Sequence, residues 1–270
     1  MFFIFTIFLF TKVYVFIIIL LNLGDFNMSK LQEKFEIKTY QCNEFGKMKL
    51  RHLFDCFQEL ASDHADRLGV GYEECLKKNC AWVCAKYHVI IKKLPKFKDL
   101  ITIETYPSKF VGPTGLREFK VMDESGNILI TGVSQWVLIG LERLRPLIVQ
   151  NIFDCSKIEL EKSMEIALDK IPATEEFNFE ELKDLRYDDV DVNHHINNAV
   201  YVSLAEDALF KKIGKEFDVA EISVDFKKSA LLSDKKVLIK SFIDNEKCDF
   251  TIMKEDSLTD FARINVKLKP

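Results

Sequence analysis

The chain is poor in the features that mark several protein classes. It has ten glycines and six prolines in 270 residues, which excludes collagen-like and linker-rich chains. Basic residues do not exceed acidic ones: 38 Lys and Arg stand against 42 Asp and Glu, for a formal net charge of −4. An overall basic footprint for nucleic acid is therefore absent, and no nucleic-acid partner is expected. The seven cysteines are odd in number and contain no CxxC pair, and Cys75, Cys80 and Cys84 have no histidine at metal-ligand spacing. They read as plain thiols in a reducing compartment, with no metal and no cofactor. Tryptophan is scarce, two against 23 phenylalanines.

What remains is an ordinary globular composition, 48% hydrophobic and 30% charged, with length enough for two domains at about 100 to 200 residues each. The exception is residues 2–23, almost wholly apolar and long enough to span a bilayer at about 20 residues. Lys12 interrupts that stretch, no basic residue precedes it, and it has no alanine for a cleavage site. Three readings stand: translated upstream sequence ahead of a start at Met28, a membrane anchor, and a signal peptide. A membrane partner is expected only if residues 2–23 belong to the protein.

From residue 28 the pattern repeats. Residues 34–42 alternate polar and apolar as a strand does. Leu50, Leu53, Phe54, Phe57, Leu60, Ala61, Ala65 and Leu68 recur at three and four, the stripe of a long helix ended by Gly69 and Gly71. Strand-like runs follow at 82–91, 100–106, 115–122 and 128–141. After a connection through Pro146 and a charged, partly helical stretch at 157–170, the plan recurs: a strand within 177–187, a helix over 197–212 closed near Gly214, and strands at 219–227, 236–243, 248–253 and 260–268. The two copies register at an offset of 150, placing Asn43 on Asn193, and the repeat is one of pattern rather than residues. A long helix wrapped by an antiparallel sheet, twice over, predicts an α+β double hotdog with the sheets joined edge to edge. The expected divisions are 1–27 leader, 28–150 N-terminal hotdog, 151–176 linker and 177–270 C-terminal hotdog.

The densest polar cluster, Asp188 to Asn198, falls at a strand-to-helix turn. Free N–H groups and the positive end of the helix dipole gather there and can hold a developing oxyanion. A nearby imidazole can act as general base, and a carboxylate two or four residues earlier can fix its tautomer or act on water. The plainer reading makes Asp191 and Asn193 turn and cap residues and His195 a surface group. His52, His64 and His88 read as structural, although His64 lies near the apolar stripe, where it would also fit a tunnel wall. The lysine runs at 92–93, 211–212, 227–228 and 235–236 read first as solvated faces.

Asp191-Val192-Asn193-His194-His195-Ile196-Asn197-Asn198, followed by Tyr201, resembles the signature of the acyl-ACP thioesterase family. So do Gly69-Val70-Gly71, Trp82-Val83, residues 103–107, Ser134-Gln135-Trp136 and Arg143-Leu144-Arg145-Pro146. The resemblance covers about residues 32–268. It implies a double hotdog that hydrolyses the thioester between a fatty acyl chain and acyl carrier protein. It also implies a C-terminal catalytic half in which Asp191, Asn193 and His195 take the catalytic places, and an N-terminal half that binds the acyl chain, with Phe54, Phe57, Trp82 and Val83 as wall residues. One position departs: Ser229 stands where the family usually has a catalytic Glu, and Ala230 where plant members often have Cys. That departure keeps two alternatives in view, an acyl-CoA thioesterase of the same fold and an acyl-thioester-binding protein without catalysis. Some of the lysines would then dock the acidic carrier protein. The expected location is cytoplasmic, and the oligomeric state is open between monomer and homodimer.

Overall fold

The computed structural model describes residues 29–256 and 259–270. The apolar stretch at 2–23, and with it the anchor, signal and start-site readings, lies outside the described residues. Among those described, no helix is long and apolar enough to cross a membrane.

The N-terminal half runs β1 (Leu31–Glu36), α1 (Leu50–Arg67), α2 (Tyr72–Lys77), β2 (Cys80–Ile91), β3 (Leu100–Val111), β4 (Thr114–Asp123), β5 (Ile128–Gly140) and the two-residue β6 (Arg145–Pro146). A short α3 (Val149–Ile152) opens the connection. The C-terminal half runs β7 (Phe179–Asp184), α4 (Asn198–Ile213), β8 (Val219–Phe226), β9 (Lys236–Ile243), β10 (Lys247–Lys254) and β11 (Asp260–Leu268). The strands form one antiparallel sheet in the order β1-β3-β4-β5-β2-β8-β11-β10-β9-β7. Each half has the same internal order, and the two meet at a single seam where Lys86–Ile90 of β2 pair with Asp225–Glu221 of β8. This is the double hotdog expected, joined edge to edge.

The stripe counted along α1 is the face it buries: Leu50, Leu53, Phe54, Phe57, Leu60, Ala61 and His64 all point inward. The start of α1 carries no side-chain cap of its own. Its Leu50 N–H instead donates to the carboxylate of Glu206 on α4, at 3.1 Å. The main core spans both helices and both sheet halves. A smaller cluster around Val70, Cys75, Leu138 and Phe153 packs against Trp82.

Three expectations change. The alternation over 34–42 gives a strand only to Glu36. Thr39–Gln41 then makes a 3-10 turn, closed by the Gln41 side chain accepting from Lys38 N at 2.9 Å. The stretch 157–170 is not helical beyond its first residue, which ends a 3-10 turn at Cys155–Lys157. Met164, Ile166 and Leu168 recur at every second residue, the spacing of extended chain. Sheet side chains hold the segment down: Ser163 Oγ donates to Glu118, Lys86 Nζ to Asp169 O, and His88 Nδ1 contacts Ala167 O at 2.7 Å.

The third change concerns the repeat. Residues 39–41 and 187–189 are equivalent 3-10 turns, Cys42 bridges Met48 as Val190 bridges Ile196, and the helices begin at Leu50 and Asn198. The halves therefore register at 148, not 150. Asn43 falls on Asp191, while Phe45 and Lys47 fall on Asn193 and His195. Pairing Asn43 with Asn193 puts the register two residues off. Chain geometry sets it instead, because each loop must carry the same backbone path into its helix.

Candidate active site

The loop between β7 and α4 is built by its own side chains. Asp191 Oδ1 accepts from the backbone N–H of Asn193 at 2.9 Å and, more weakly, of His195 at 3.4 Å. The backbone closes the same ring, with Asp191 N donating to His195 O and His194 N to Asp191 O. His194 sits at φ +62°, the left-handed value that lets the turn close. Asn197 then caps α4, its Oδ1 accepting from Ala199 N at 2.8 Å. Val192, Asn193, His194 and His195 are exposed, and Asp191 and Asn197 are partly covered.

Two supports fix this loop to the body. Ile196 N donates to Ala230 O at 3.0 Å, and Ala230 N donates to the hydroxyl of Tyr201 at 2.9 Å. Burial, only partly offset by that bond, pushes the Tyr201 phenol up to about 12, so it stays protonated. Beneath the loop, the buried Asp189 is bonded by Arg186 N and approached at 3.8 Å by Arg51 of α1. Gln58, also on α1, donates to Asn197 Oδ1 at 3.2 Å. The N-terminal helix thus reaches the first turn of the C-terminal one.

The structure brings Asp191, Asn193 and His195 onto one exposed turn. The Asp191 carboxylate is engaged with backbone N–H groups and shapes the turn. Positions 229 and 230 lie beside the turn, with Ser229 exposed and Ala230 buried. The four wall candidates do not come together. Phe54 and Phe57 are fully buried in the main core, Trp82 belongs to the smaller cluster with its Nε1 donating to Val70 O, and Val83 is exposed. Asp225 is a seam clamp held by Lys86, Lys227 and Ile171 N. Burial raises its pKa, but the two ammonium groups outweigh that and hold it below the usual carboxylate range. Gln58 and Arg51 were missed: a polar residue beside an apolar helical stripe carries no local sign of which loop it will meet.

Among the described residues no cluster of three His, Cys, Asp or Glu side chains could hold a metal ion. All seven cysteines are free.

Residues 28–154 match the family described as acyl-ACP thioesterase N-terminal domain, and residues 171–267 the one described as acyl-ACP thioesterase C-terminal domain. Among curated proteins, the chain is 24% identical over 226 residues to oleoyl-acyl carrier protein thioesterase 2, chloroplastic, of Arabidopsis thaliana, covering 75% of this chain and 60% of that protein. It is 21% identical over 212 residues to a chloroplastic palmitoyl-acyl carrier protein thioesterase of Cuphea hookeriana, covering 73% and 51%. The chain thus spans between half and two thirds of the length of these relatives. Among solved structures, it overlays an acyl-ACP thioesterase from Bacteroides thetaiotaomicron with a TM-score of 0.79 at 17% identity, covering 89% of this chain and 98% of that one. The 12:0-ACP thioesterase from Umbellularia californica gives 0.77 at 19%, covering 89% and 94%. At these identities the overlays establish the fold.

Proposed function

Since the chain belongs to the acyl-ACP thioesterase family, we propose that it hydrolyses the thioester joining a fatty acyl chain to acyl carrier protein, releasing free acid and carrier thiol. The observation that carries this reading is the turn at 191–197, which presents Asn193 and His195 to solvent at the start of a long helix. In the proposed reaction the thioester carbonyl lies against the first turn of α4. Asn198 opens α4, where the first N–H groups have no partner within the helix, so its N–H can donate to the developing oxyanion, aided by the helix dipole. His195 takes the proton of the attacking water and returns it to the leaving sulfur. Asn193 orients the carbonyl or the water. Asp191 acts through the backbone, holding both residues in place. Ala230 supplies no thiol nucleophile at that position, and in the proposed route water attacks the carbonyl directly.

Seven free thiols support a reducing compartment, and we place the enzyme in the cytoplasm. Lys228 and Lys235, exposed on either side of buried Ala230, support an acidic partner such as acyl carrier protein. The test is thiol release from a panel of acyl-ACPs by the wild type and His195→Ala. Removing a general base should cut turnover by about 10²- to 10⁴-fold with the melting curve unchanged. Near-normal turnover in the variant would overturn the mechanism. Equal rates on carrier-protein and coenzyme A esters would move the substrate to the latter.

A further inference from the structure

The outer face of the N-terminal sheet holds a cleft that the proposed reaction does not use. Arg117 of β4 meets His64 of α1 at 2.9 Å, so its side of the sheet is the inner one. Its neighbours Leu116 and Glu118 therefore point away from α1. Glu118 lies there beneath the connection between the halves, accepting from Ser163 Oγ at 2.8 Å. Farther along the same face the connection stands off from the strands. A cleft of about 370 Å³ opens between it and β3, β4 and β5, a size within the range of small-molecule pockets.

Strand register builds its floor. Lys109, Leu116 and Gln135 stand in one row across β3, β4 and β5, and Val111 pairs with Thr114 in the next. Directly paired residues share a sheet face, and strands lie about 4.8 Å apart, so the first row is about 10 Å wide. Ile166 and Leu168 of the connection form the facing wall. Their spacing of two sets both on one side of the extended segment. The carbonyls of Ala167 and Asp169 are meanwhile engaged by His88 and Lys86, so the wall is anchored by the sheet itself. Leu116, Ile166 and Leu168 are only half-buried and leave apolar surface in the cleft. Lys109, at one end of the row, is exposed and enters no ion pair among the described residues.

We propose that this cleft is a second ligand site, one for a free fatty acid. The carboxylate sits on the Lys109 ammonium, and the chain lies across Leu116 towards Gln135, beneath Ile166 and Leu168. One cation at the end of an apolar trough selects an amphipathic monoanion. The ammonium supplies a charge-assisted hydrogen bond, and the trough takes methylenes out of water. A neutral amide forgoes the first contribution and a short acid most of the second. The cleft lies on the sheet face away from α1, in the other half of the chain from the turn at 191–197, so filling it is separate from occupying the candidate active site. Identifying the acid as the enzyme's own product rests on the hydrolase reading; the site itself does not.

The experiment titrates the full chain calorimetrically with octanoate, butanoate and octanamide, and follows amide hydrogen exchange with and without octanoate. Octanoate should bind about tenfold or more tighter than butanoate and tighter than octanamide, and it should slow exchange at residues 164–168. Lys109→Glu, an exposed change that leaves the fold intact, should weaken octanoate about tenfold or more and leave octanamide unaffected. Leu168→Gln, which strips one apolar wall, should weaken both. The proposal is overturned if octanoate does not bind, if it binds no better than octanamide, or if exchange at 164–168 stays unchanged. Octanoate binding to Lys109→Glu as tightly as to wild type would overturn it too, since an acid held at the turn 191–197 would ignore position 109. If no acyl-ACP is hydrolysed while octanoate still protects 164–168, the hydrolase reading fails and the site stands.

Discussion

Asn43 and Asp191 hold the same place in two loops 148 residues apart. Each uses its Oδ1 to accept from the backbone N–H two and four residues on, Phe45 and Lys47 in one case and Asn193 and His195 in the other. The two halves thus share the device that shapes the loop and differ in what the loop presents. Phe45 and Lys47 offer no general base. Lys47 is instead clamped between Glu216 and Asp218, which also keep its pKa raised. The N-terminal loop is a scaffold copy of the one that carries the candidate site.

That equivalence predicts how Asp191 can be changed. Asparagine already fills this role at position 43, so Asp191→Asn should melt with the wild type. Asp191→Ala, which strips both backbone bonds, should lose about 1 kcal/mol. If the carboxylate acts only through the loop, Asp191→Asn should also keep most of its turnover. Thermal melts beside acyl-ACP hydrolysis rates separate the two roles, and a folded but inactive Asp191→Asn would give the carboxylate a direct part in the chemistry.

Tyr201 is the strut between helix α4 and position 230. Tyr201→Phe leaves the Ala230 N–H buried without its acceptor, a loss of about 1 to 3 kcal/mol. Because Ala230 O in turn holds Ile196 N, the loop should loosen as well. Denaturant unfolding should show the lost stability, and turnover should fall with it. An unchanged unfolding midpoint would show the strut to be dispensable.

Glu206 makes the joint between the two helices sensitive to pH. Burial, opposed by the bond from Leu50 N, lifts its carboxyl from the usual carboxylate range to about 7. A carboxyl raised by folding favours the folded state while protonated. Its stabilising contribution is complete below the unfolded value, near 4.3, and is lost as pH rises through about 7. Of the wild type's change in melting temperature between pH 6 and 8, the part owed to this group should be a fall. Glu206→Gln, which keeps an acceptor for Leu50 N, should remove that fall. Identical pH profiles for the two proteins would refute the assignment.

Ser229 is exposed beside the candidate turn, so changing it should cost little stability. Ser229→Glu supplies a carboxylate where the family usually has one. If that group reaches the attacking water, kcat should rise about tenfold or more. An unchanged kcat would place position 229 outside the reach of the reacting atoms.

Much of this was legible along the chain. The 3.6-residue stripe of α1, the alternation of the β strands and the polar turn before α4 are local signals, written in residues that are neighbours in sequence. They were enough for two copies of one fold and for Asp191, Asn193 and His195 on one turn. The helix expected over 157–170 failed because the segment's partners lie elsewhere. Lys86 and His88 on the sheet bind its backbone at Asp169 and Ala167, and Glu165 sits at φ +57°, which no α-helix accommodates.

What the sequence alone determined is which residues alternate, which recur at helical spacing and which stand together in the polar turn, because these depend on backbone periodicity. Tertiary structure decided the rest. It set the true offset of the repeat, the hold of Tyr201 on Ala230, the cap that Glu206 lends to α1, and the meeting of His64 with Arg117 53 positions along the chain. Each joins residues far apart in sequence, and such a pairing exists only once sheet register and helix packing have fixed the distances.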